Sequence, residues 1–222
     1  MIPAIVLAAG KSSRMGRPKA LLPIGSSGDT FLTRILRVLR DGGITRAVVV
    51  IGGDAAAVRA ALPSADDFLR IVENEDYEQG QLSSLLVGLS AVEQGNDDVE
   101  GVMVTLVDLP LISEGTVRAV IDAYRNASGT PPIVRPRRGS RHGHPAIFDR
   151  RLFAELRNAD PSAGAKPIVR AHAAEEVNVD VADDGAFTDI DTPEDYERFI
   201  APTLNRATET SRATEPQRHR ET

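Results

Sequence analysis

Residues 2 to 25, IPAIVLAAGKSSRMGRPKALLPIG, decide how the rest of the chain is read. An apolar run, Ile5 to Leu7, passes directly into small residues at positions 8 to 10. Four cations follow, which are Lys11, Arg14, Arg17 and Lys19. Small side chains let backbone N–H groups approach a ligand closely, and converging N–H dipoles suit phosphate oxygens. The stretch therefore predicts a β-strand that leads into an anion-binding loop.

Two common phosphate-binding motifs do not fit this loop. A Walker A loop needs a glycine five positions before its Gly-Lys pair, and residue 5 is Ile. The dinucleotide fingerprint G-x-G-x-x-G also fails, because Gly10 and Gly16 lack the third glycine and the tight spacing. An ordinary surface loop after a strand remains as the alternative interpretation.

The composition limits the class of protein. The chain has 222 residues, 41% hydrophobic and 26% charged, which fits one α/β domain with a sizeable core. A net charge of −6 argues against a general nucleic-acid binder, and the lack of cysteine excludes disulfides, thiolate catalysis and cysteine-ligated metals. No apolar run reaches the roughly 18 residues that span a bilayer, and the start lacks the layout of a signal peptide. We therefore expect a cytoplasmic protein that binds neither nucleic acid nor membrane.

Strand and helix patterns alternate along the chain. The continuous apolar runs at 47–51 and 102–107 are typical of strands buried on both faces of a parallel sheet. Further strands are predicted at 69–72, 133–134, 146–148 and 177–179, and helices at 31–40, 55–62, 83–93, 114–126, 151–157, 167–172 and 193–200. This order predicts an α/β fold with a mostly parallel sheet flanked by helices. Residues 1–200 are the expected single domain, and residues 201–222, nearly free of large apolar side chains, predict a disordered tail.

Asp108 directly follows the buried strand at 102–107, at the edge where open α/β sheets bind ligands. A carboxylate in that position is a suitable oxygen ligand for a Mg²⁺ ion that bridges phosphates. A turn aspartate before Pro110 is the alternative interpretation.

A second acidic stretch, TDIDTPED, covers residues 188–195. Its last part fits a capped helix start, with Thr192 as the N-cap and Pro193 at the first helical position. Capping leaves Asp189 and Asp191 without an assigned structural role.

Two further segments have residue types that suit an anionic ligand. Ser83 and Ser84 lie at the predicted start of a helix, where free N–H groups favour an anion, although ordinary capping is the alternative. The segment 135–144, RPRRGSRHGH, is basic and contains glycine, as expected of a loop that receives a second anionic substrate or of a solvated basic loop.

The stretch LAAGKSSRMGRPKALLPIG resembles the signature L-A-A-G-x-S-x-R-M-G-x-x-K-x-L-L of nucleotidyltransferases that share a Rossmann-like glycosyltransferase-A fold. Within that group the chain is most similar, over about residues 2 to 200, to the molybdenum cofactor cytidylyltransferases of the MobA-like family. The resemblance implies that CTP is bound by Leu7, Ala8, Ala9, Gly10, Lys11, Arg14, Lys19, Ser83, Ser84 and Gly88. It also implies that Lys19, Arg14 and Asp108 are catalytic, and that Asp108 and Asp191 hold Mg²⁺ or Mn²⁺.

The acceptor side is carried by Gly143-His144-Pro145, which is similar to a G-H-P motif of the same family. The resemblance implies that His144 and Arg141 bind a molybdopterin-type acceptor, which receives CMP as pyrophosphate leaves. A molybdoenzyme or its maturation chaperone is the implied partner. Four alternatives remain open: a sugar- or polyol-phosphate nucleotidyltransferase, a guanylyl-transferring homologue, an enzyme like nicotine blue oxidoreductase, and a non-catalytic cofactor-delivery chaperone.

Overall fold

The structure, a computed structural model, describes residues 1–25, 27–62, 66–95, 98–161 and 163–203. The strands are β1 Ala4–Ala8, β2 Pro23–Ile24, β3 Asp29–Thr30, β4 Ala47–Ile51, β5 Leu69–Glu73, β6 Gly101–Leu106, β7 Ile133–Arg138, β8 Arg141–His142, β9 Ala146–Asp149 and β10 Val177–Asp180. The α-helices are α1 Phe31–Asp41, α2 Ala55–Ala61, α3 Gln81–Glu93, α4 Glu114–Asn126, α5 Phe153–Asn158, α6 Lys166–Ala171 and α7 Pro193–Phe199. Single 3₁₀ turns lie at Lys19–Leu21, Tyr77–Gln79, Arg150–Leu152 and Asp184–Phe187.

One eight-stranded sheet has the order β10-β7-β9-β6-β1-β4-β5, with β8 paired to β7. The pairs β1–β4, β1–β6, β4–β5 and β7–β10 are parallel, whereas β9 is antiparallel to both β6 and β7. The predicted mostly parallel sheet is confirmed. The reversed direction of β9 brings its first residues to the edge of the sheet where β6 ends, since Ala146 pairs with Val104.

Both faces of the sheet are covered by helices, which explains the continuous apolar runs in β1 and β4. All five residues of each strand are buried. Alternate side chains enter separate cores: Val6 and Val49 pack with α1 and α4, and Ile5 and Val48 pack with α3 and α5. Because both faces of such a strand contact apolar side chains, its residues are apolar throughout and do not alternate with polar ones.

A smaller apolar cluster joins the first loop to the end of the described chain. Met15, Leu22 and Ile24 pack there with Ile190 and with residues of α1 and α7. The Tyr196 hydroxyl donates to the Pro23 carbonyl oxygen at 2.9 Å. The cluster therefore fixes the position of the cationic loop relative to the acidic stretch at 188–195.

Most predicted elements are confirmed within two residues, and β4 and α4 have the predicted bounds. Two predictions are corrected. The segment 135–144 is not a loop, because β7 runs to Arg138 and turns into β8 as a hairpin. Helix α3 begins at Gln81, so neither serine is its N-cap.

The predicted tail falls mainly on residues 204–222, which lie outside the described residues. Its first three residues are described, and the Thr203 hydroxyl accepts a hydrogen bond from the Gly25 N–H at 3.3 Å. None of the helices described here combines the length and the apolar character that crossing a membrane requires.

Gly88 lets α3 approach the sheet closely, and replacing it with Ala is expected to destabilise the fold. A Cβ at this position would lie 2.6 Å from Cγ2 of Ile5 and 3.2 Å from Cγ2 of Val50. Overpacking of this kind costs about 1–3 kcal/mol. Urea unfolding measures the change. Gly115→Ala in α4 is the control, since its Cβ would meet nothing closer than Ser113 Oγ at 3.8 Å. Equal stabilities of the two variants would contradict the packing role.

Candidate active site

The loop that follows β1 is held in shape by its own polar groups. The Ala9 carbonyl oxygen accepts from the Gly53 N–H at 3.1 Å. Ser12 has a φ of +50°, and its hydroxyl oxygen accepts from the Lys19 N–H at 2.9 Å. A left-handed serine is uncommon, and here the side-chain hydrogen bond compensates for it. The loop therefore closes from Ser12 to Lys19, a feature that the sequence reading did not identify.

Lys19 is the buried cation of the loop, with 8% of its surface exposed. Its Nζ atom donates to Oδ1 of Asp191 and lies 3.7 Å from Oδ2 of Asp108. Nη2 of Arg14 donates to the other oxygen of Asp191 at 2.9 Å. The structure thus brings together the four predicted residues Arg14, Lys19, Asp108 and Asp191.

The acidic stretch reaches this place through two sets of hydrogen bonds. The Ile190 N–H donates to the Asp108 carbonyl oxygen at 2.8 Å, which ties the two acidic segments together. Behind it, Thr192 caps α7 and shares a capping box with Asp195. The Asp195 carboxylate also accepts from the Asp191 N–H at 3.1 Å. Capping and site geometry are therefore combined in one short segment, as both interpretations of the sequence required.

The carboxylates differ in charge preference because their surroundings differ. Burial raises the pKa of Asp108, and the neighbouring Asp189 and Asp191 raise it further against the opposing effect of Lys19. The hydrogen bond from Lys19 lowers the pKa of Asp191. Burial and Asp191 raise the pKa of Asp189, which is a third carboxylate at this edge. The negative charge is thus held most firmly on Asp191.

The carboxylate oxygens of Asp108 and Asp191 suit a hard divalent cation whose remaining ligands are phosphate oxygens of a nucleotide. Oδ1 of Asp108 is buried and has no hydrogen-bond partner among the described residues, which leaves it free to bind a cation. Throughout the described ranges, no group of three or more His, Cys, Asp or Glu side chains is arranged to hold a metal. Mg²⁺ is commonly bound by one or two carboxylates and completed by phosphate oxygens. Asp108 and Asp191 match that pattern.

The exposed end of the loop meets the segment before α3. Lys11 donates to Glu78 and lies 5.7 Å from the centre of the Tyr77 ring. Ala9 is buried close by. Its methyl carbon and the Tyr77 ring both lie close to Gly52, since a Cβ added to Gly52 would be 2.9 Å from each. The predicted phosphate contact of Lys11 would therefore require exchange of Glu78 for a phosphate.

Ser83 and Ser84, which the sequence predicts to bind the nucleotide, form hydrogen bonds within the protein. The Asn74 side-chain amide donates to the hydroxyl of Ser83 at 2.9 Å and to that of Ser84 at 3.0 Å. Ser83 itself donates to the Gly80 carbonyl oxygen at 2.8 Å. The start of α3 has Gly80 as its N-cap and no side-chain cap. The first backbone N–H groups of α3 thus have no side-chain cap.

Three other predicted nucleotide-binding residues are buried. Gly88 lies about two turns into α3 and faces the sheet, where an added Cβ would meet Ile5 and Val50. Leu7 and Ala8 belong to β1 and are each 8% exposed. Gly10, by contrast, is exposed at the start of the loop.

The acceptor-side residues lie on the hairpin and on the chain that leads into β9. Nδ1 of His144 lies 3.2 Å from the Val104 carbonyl oxygen, which can only accept, so Nδ1 carries the proton. Burial lowers the pKa of His144, and the neutral ring leaves Nε2 as an acceptor. Arg141 donates to the Phe187 carbonyl oxygen and lies over the Phe187 ring, with the guanidinium 5.4 Å from its centre.

The comparisons with known proteins identify the family of the chain. A model described as "MobA-like NTP transferase domain" matches residues 4–177. Among solved structures, Rv0371c from Mycobacterium tuberculosis is 32% identical with a TM-score of 0.72, over 89% of this chain and 97% of that chain. Its complex with manganese is 30% identical with a TM-score of 0.66, over 90% and 97% of the two chains.

Curated relatives extend the comparison to shorter regions. A probable molybdenum cofactor guanylyltransferase from Rhodopirellula baltica is 32% identical over 55% of this chain and 56% of its own length. The bifunctional protein GlmU from Geobacter sulfurreducens is 28% identical over 76% of this chain, which spans 35% of that relative. The neighbours are nucleotidyltransferases with a fold like that of the glycosyltransferase-A group. With most of its length matched by the family model, the chain belongs to the MobA-like NTP transferase family.

Proposed function

We propose that the protein transfers CMP from CTP to the phosphate of a molybdopterin-type acceptor, with release of pyrophosphate. The observation that carries the proposal is the Lys19 ammonium group, which lies between Asp108 and Asp191 at the end of the cationic loop. Nucleotidyl transfer needs cations for a triphosphate and carboxylates for a divalent metal in one place. Here the cations Arg14 and Lys19 lie beside the carboxylates of Asp108 and Asp191.

The reaction joins an oxygen of the acceptor phosphate to the α-phosphorus of CTP. The bond from that phosphorus to the bridging oxygen breaks, and pyrophosphate leaves with the electron pair. A phosphate monoester is largely a dianion at neutral pH, since its second pKa is about 6, so no strong general base is needed. Lys19, Arg14 and Lys11 would position the triphosphate and neutralise the leaving group.

Asp108 and Asp191 would hold Mg²⁺ or Mn²⁺. When bound, the metal supplies charge neutralisation at the phosphates. The unpartnered, buried Oδ1 of Asp108 supports this assignment, because a carboxylate oxygen removed from water needs a partner. The solved manganese complex of the M. tuberculosis relative is in line with it.

The preference for CTP rests on Ala9. The resemblance implies that the guanylyl branch usually has a glycine at this position, and here the Ala9 methyl group lies beside Gly52 and Tyr77. Less room at the end of β1 favours the smaller pyrimidine base. The similarity to a guanylyltransferase makes GTP the main competing nucleotide, and the similarity to GlmU makes a sugar phosphate the main competing acceptor.

A pyrophosphate-release assay tests the proposal. It combines each of the four ribonucleoside triphosphates with Mg²⁺ or Mn²⁺ and with molybdenum cofactor, a sugar phosphate or no acceptor. We expect release with CTP and molybdenum cofactor, and a several-fold higher ratio of GTP to CTP use in Ala9→Gly. Release only with a sugar phosphate would change the acceptor and keep the chemistry. No release with any acceptor would leave the oxidoreductase and the delivery chaperone as the remaining functions.

A further inference from the structure

A cavity of about 370 Å³ lies between α6 and the sheet. Its floor is apolar and is formed by Ile133 of β7 together with Ala146 and Phe148 of β9. Val169 of α6 forms an apolar wall, and Gln81 at the start of α3 lies at the margin. The volume and the flat apolar floor suit a ring system rather than a chain of solvent molecules.

The rim of this cavity has three cations and no acidic side chain. Lys166 and Arg170 are four residues apart on α6, which places both on the same face of the helix. In the part of the chain that the structure describes, neither side chain forms an ion pair. Cations that converge without a counter-charge favour an anionic ligand.

Arg135 is the third cation and is fixed from behind. Its Nη2 atom lies 2.8 Å from Oε2 of Glu176, whose side chain is 2% exposed. Asn178 of β10 pairs with Arg135 across the parallel strands. A guanidinium held by a buried carboxylate is preorganised, so less side-chain freedom is lost when a ligand binds.

The cavity is connected to the acidic edge through His144. This residue lines the cavity, and its ring is hydrogen-bonded to Val104 of β6, the strand that leads to Asp108. Asp189 raises the pKa of His144 and Arg135 lowers it, so both charges act on this ring. A ligand in the cavity would therefore extend towards Asp108 past His144.

We propose that this cavity binds the acceptor substrate, a ring compound with a phosphate monoester, and that Lys166, Arg170 and Arg135 hold its negative charge. The inference rests on the proposed function, because it locates the second substrate of that reaction. It adds α6 to the acceptor site, which the sequence places within the segment 135–144, with Arg141 and His144 as the named contacts. His144, being neutral, accepts a hydrogen bond from the ligand instead of neutralising its phosphate.

The test measures binding of 6-hydroxymethylpterin monophosphate by quenching of pterin fluorescence, at about 0.15 M salt so that distant charges are screened. We expect Lys166→Ala/Arg170→Ala to bind this probe about tenfold more weakly. The unphosphorylated pterin should bind equally to both proteins. Val169→Trp, which fills the cavity and keeps both cations, should also weaken binding of the probe.

Arg125→Ala on α4 is the matched control, because this exposed cation lies on a helix of the opposite face. CTP binding in the presence of Mg²⁺ should be unchanged in every variant. Probe binding that is insensitive to Lys166→Ala/Arg170→Ala, or no probe binding by protein that binds CTP, would overturn the cavity proposal and leave nucleotidyl transfer in place. Loss of all nucleotidyl transfer with normal, variant-sensitive probe binding would instead overturn the proposed function.

Discussion

Asp108→Asn is expected to lower metal-dependent pyrophosphate release by at least about a thousandfold. The change keeps the shape of the side chain and removes one charged oxygen, and a neutral amide is a much weaker ligand for Mg²⁺. The fold should survive. Burial raises the folded-state pKa of Asp108 above its unfolded value, so the ionised carboxylate costs stability at neutral pH. Asn removes that cost, and the unfolding temperature should stay equal or rise.

Steady-state kinetics and thermal unfolding measure the two effects. Asp122→Asn is the control, since this aspartate is exposed on α4 and the same chemical change occurs far from the site. Near-normal turnover in Asp108→Asn would mean that Asp108 is a turn residue before Pro110 and nothing more. A large loss of stability would mean that the variant measures folding rather than catalysis.

Lys19→Met is expected to weaken CTP binding by about a hundredfold. Methionine keeps most of the buried length and removes the ammonium group that faces both carboxylates. Without that group, Asp108 and Asp191 repel each other in the metal-free protein. We expect a loss of about 1–3 kcal/mol in the free energy of unfolding, as for other hydrogen bonds to charged groups. Added Mg²⁺ should then raise the unfolding temperature more in this variant than in the original protein.

Isothermal titration with CTP and thermal unfolding with and without Mg²⁺ measure these effects. Lys19→Arg is the comparison that keeps the charge, and Lys19→Met/Asp191→Asn removes both members of the pair. The double variant should recover part of the stability lost in Lys19→Met, because one uncompensated carboxylate is gone. CTP affinity that is unchanged in Lys19→Met would remove the loop from the nucleotide site. Unchanged stability would show that the ion pair contributes little to folding.

The sequence predicted most of the sheet because its central strands are buried on both faces. Continuous apolar runs such as 47–51 leave little choice of structure, and the observed β4 has those bounds. Asp108 could be placed at the functional edge for the same reason, since it follows such a run. The pairing of Lys19 with Asp191 could not be derived from any local pattern, because the two residues are 172 positions apart in the chain.

The errors fall where polar residues form regular structure. The sequence predicts only the first two residues of β7 as a strand, because the RPRR of β7 and the RH of β8 have no apolar alternation. In the fold their charges are paired across the sheet, as between Arg137 and Asp180 at 2.9 Å. Cross-strand pairs of this kind depend on a register that the sequence does not reveal. The sequence shows the four-residue spacing of Lys166 and Arg170. It does not show the cavity that they line, because its other walls come from distant strands.

The reversed course of β9 has a consequence for how this fold can diversify. Lys19 and Asp108 depend on β1 and β6, which form a parallel ladder with each other, and β1 forms a second parallel ladder with β4. His144, Arg135 and α6 depend on β7, β9 and the connections around them, which meet the first group along a single antiparallel ladder. Under the proposed function, substitutions on that second side would change which acceptor is selected without moving the groups that act on the triphosphate. Catalysis and acceptor selectivity can then change independently of each other during evolution.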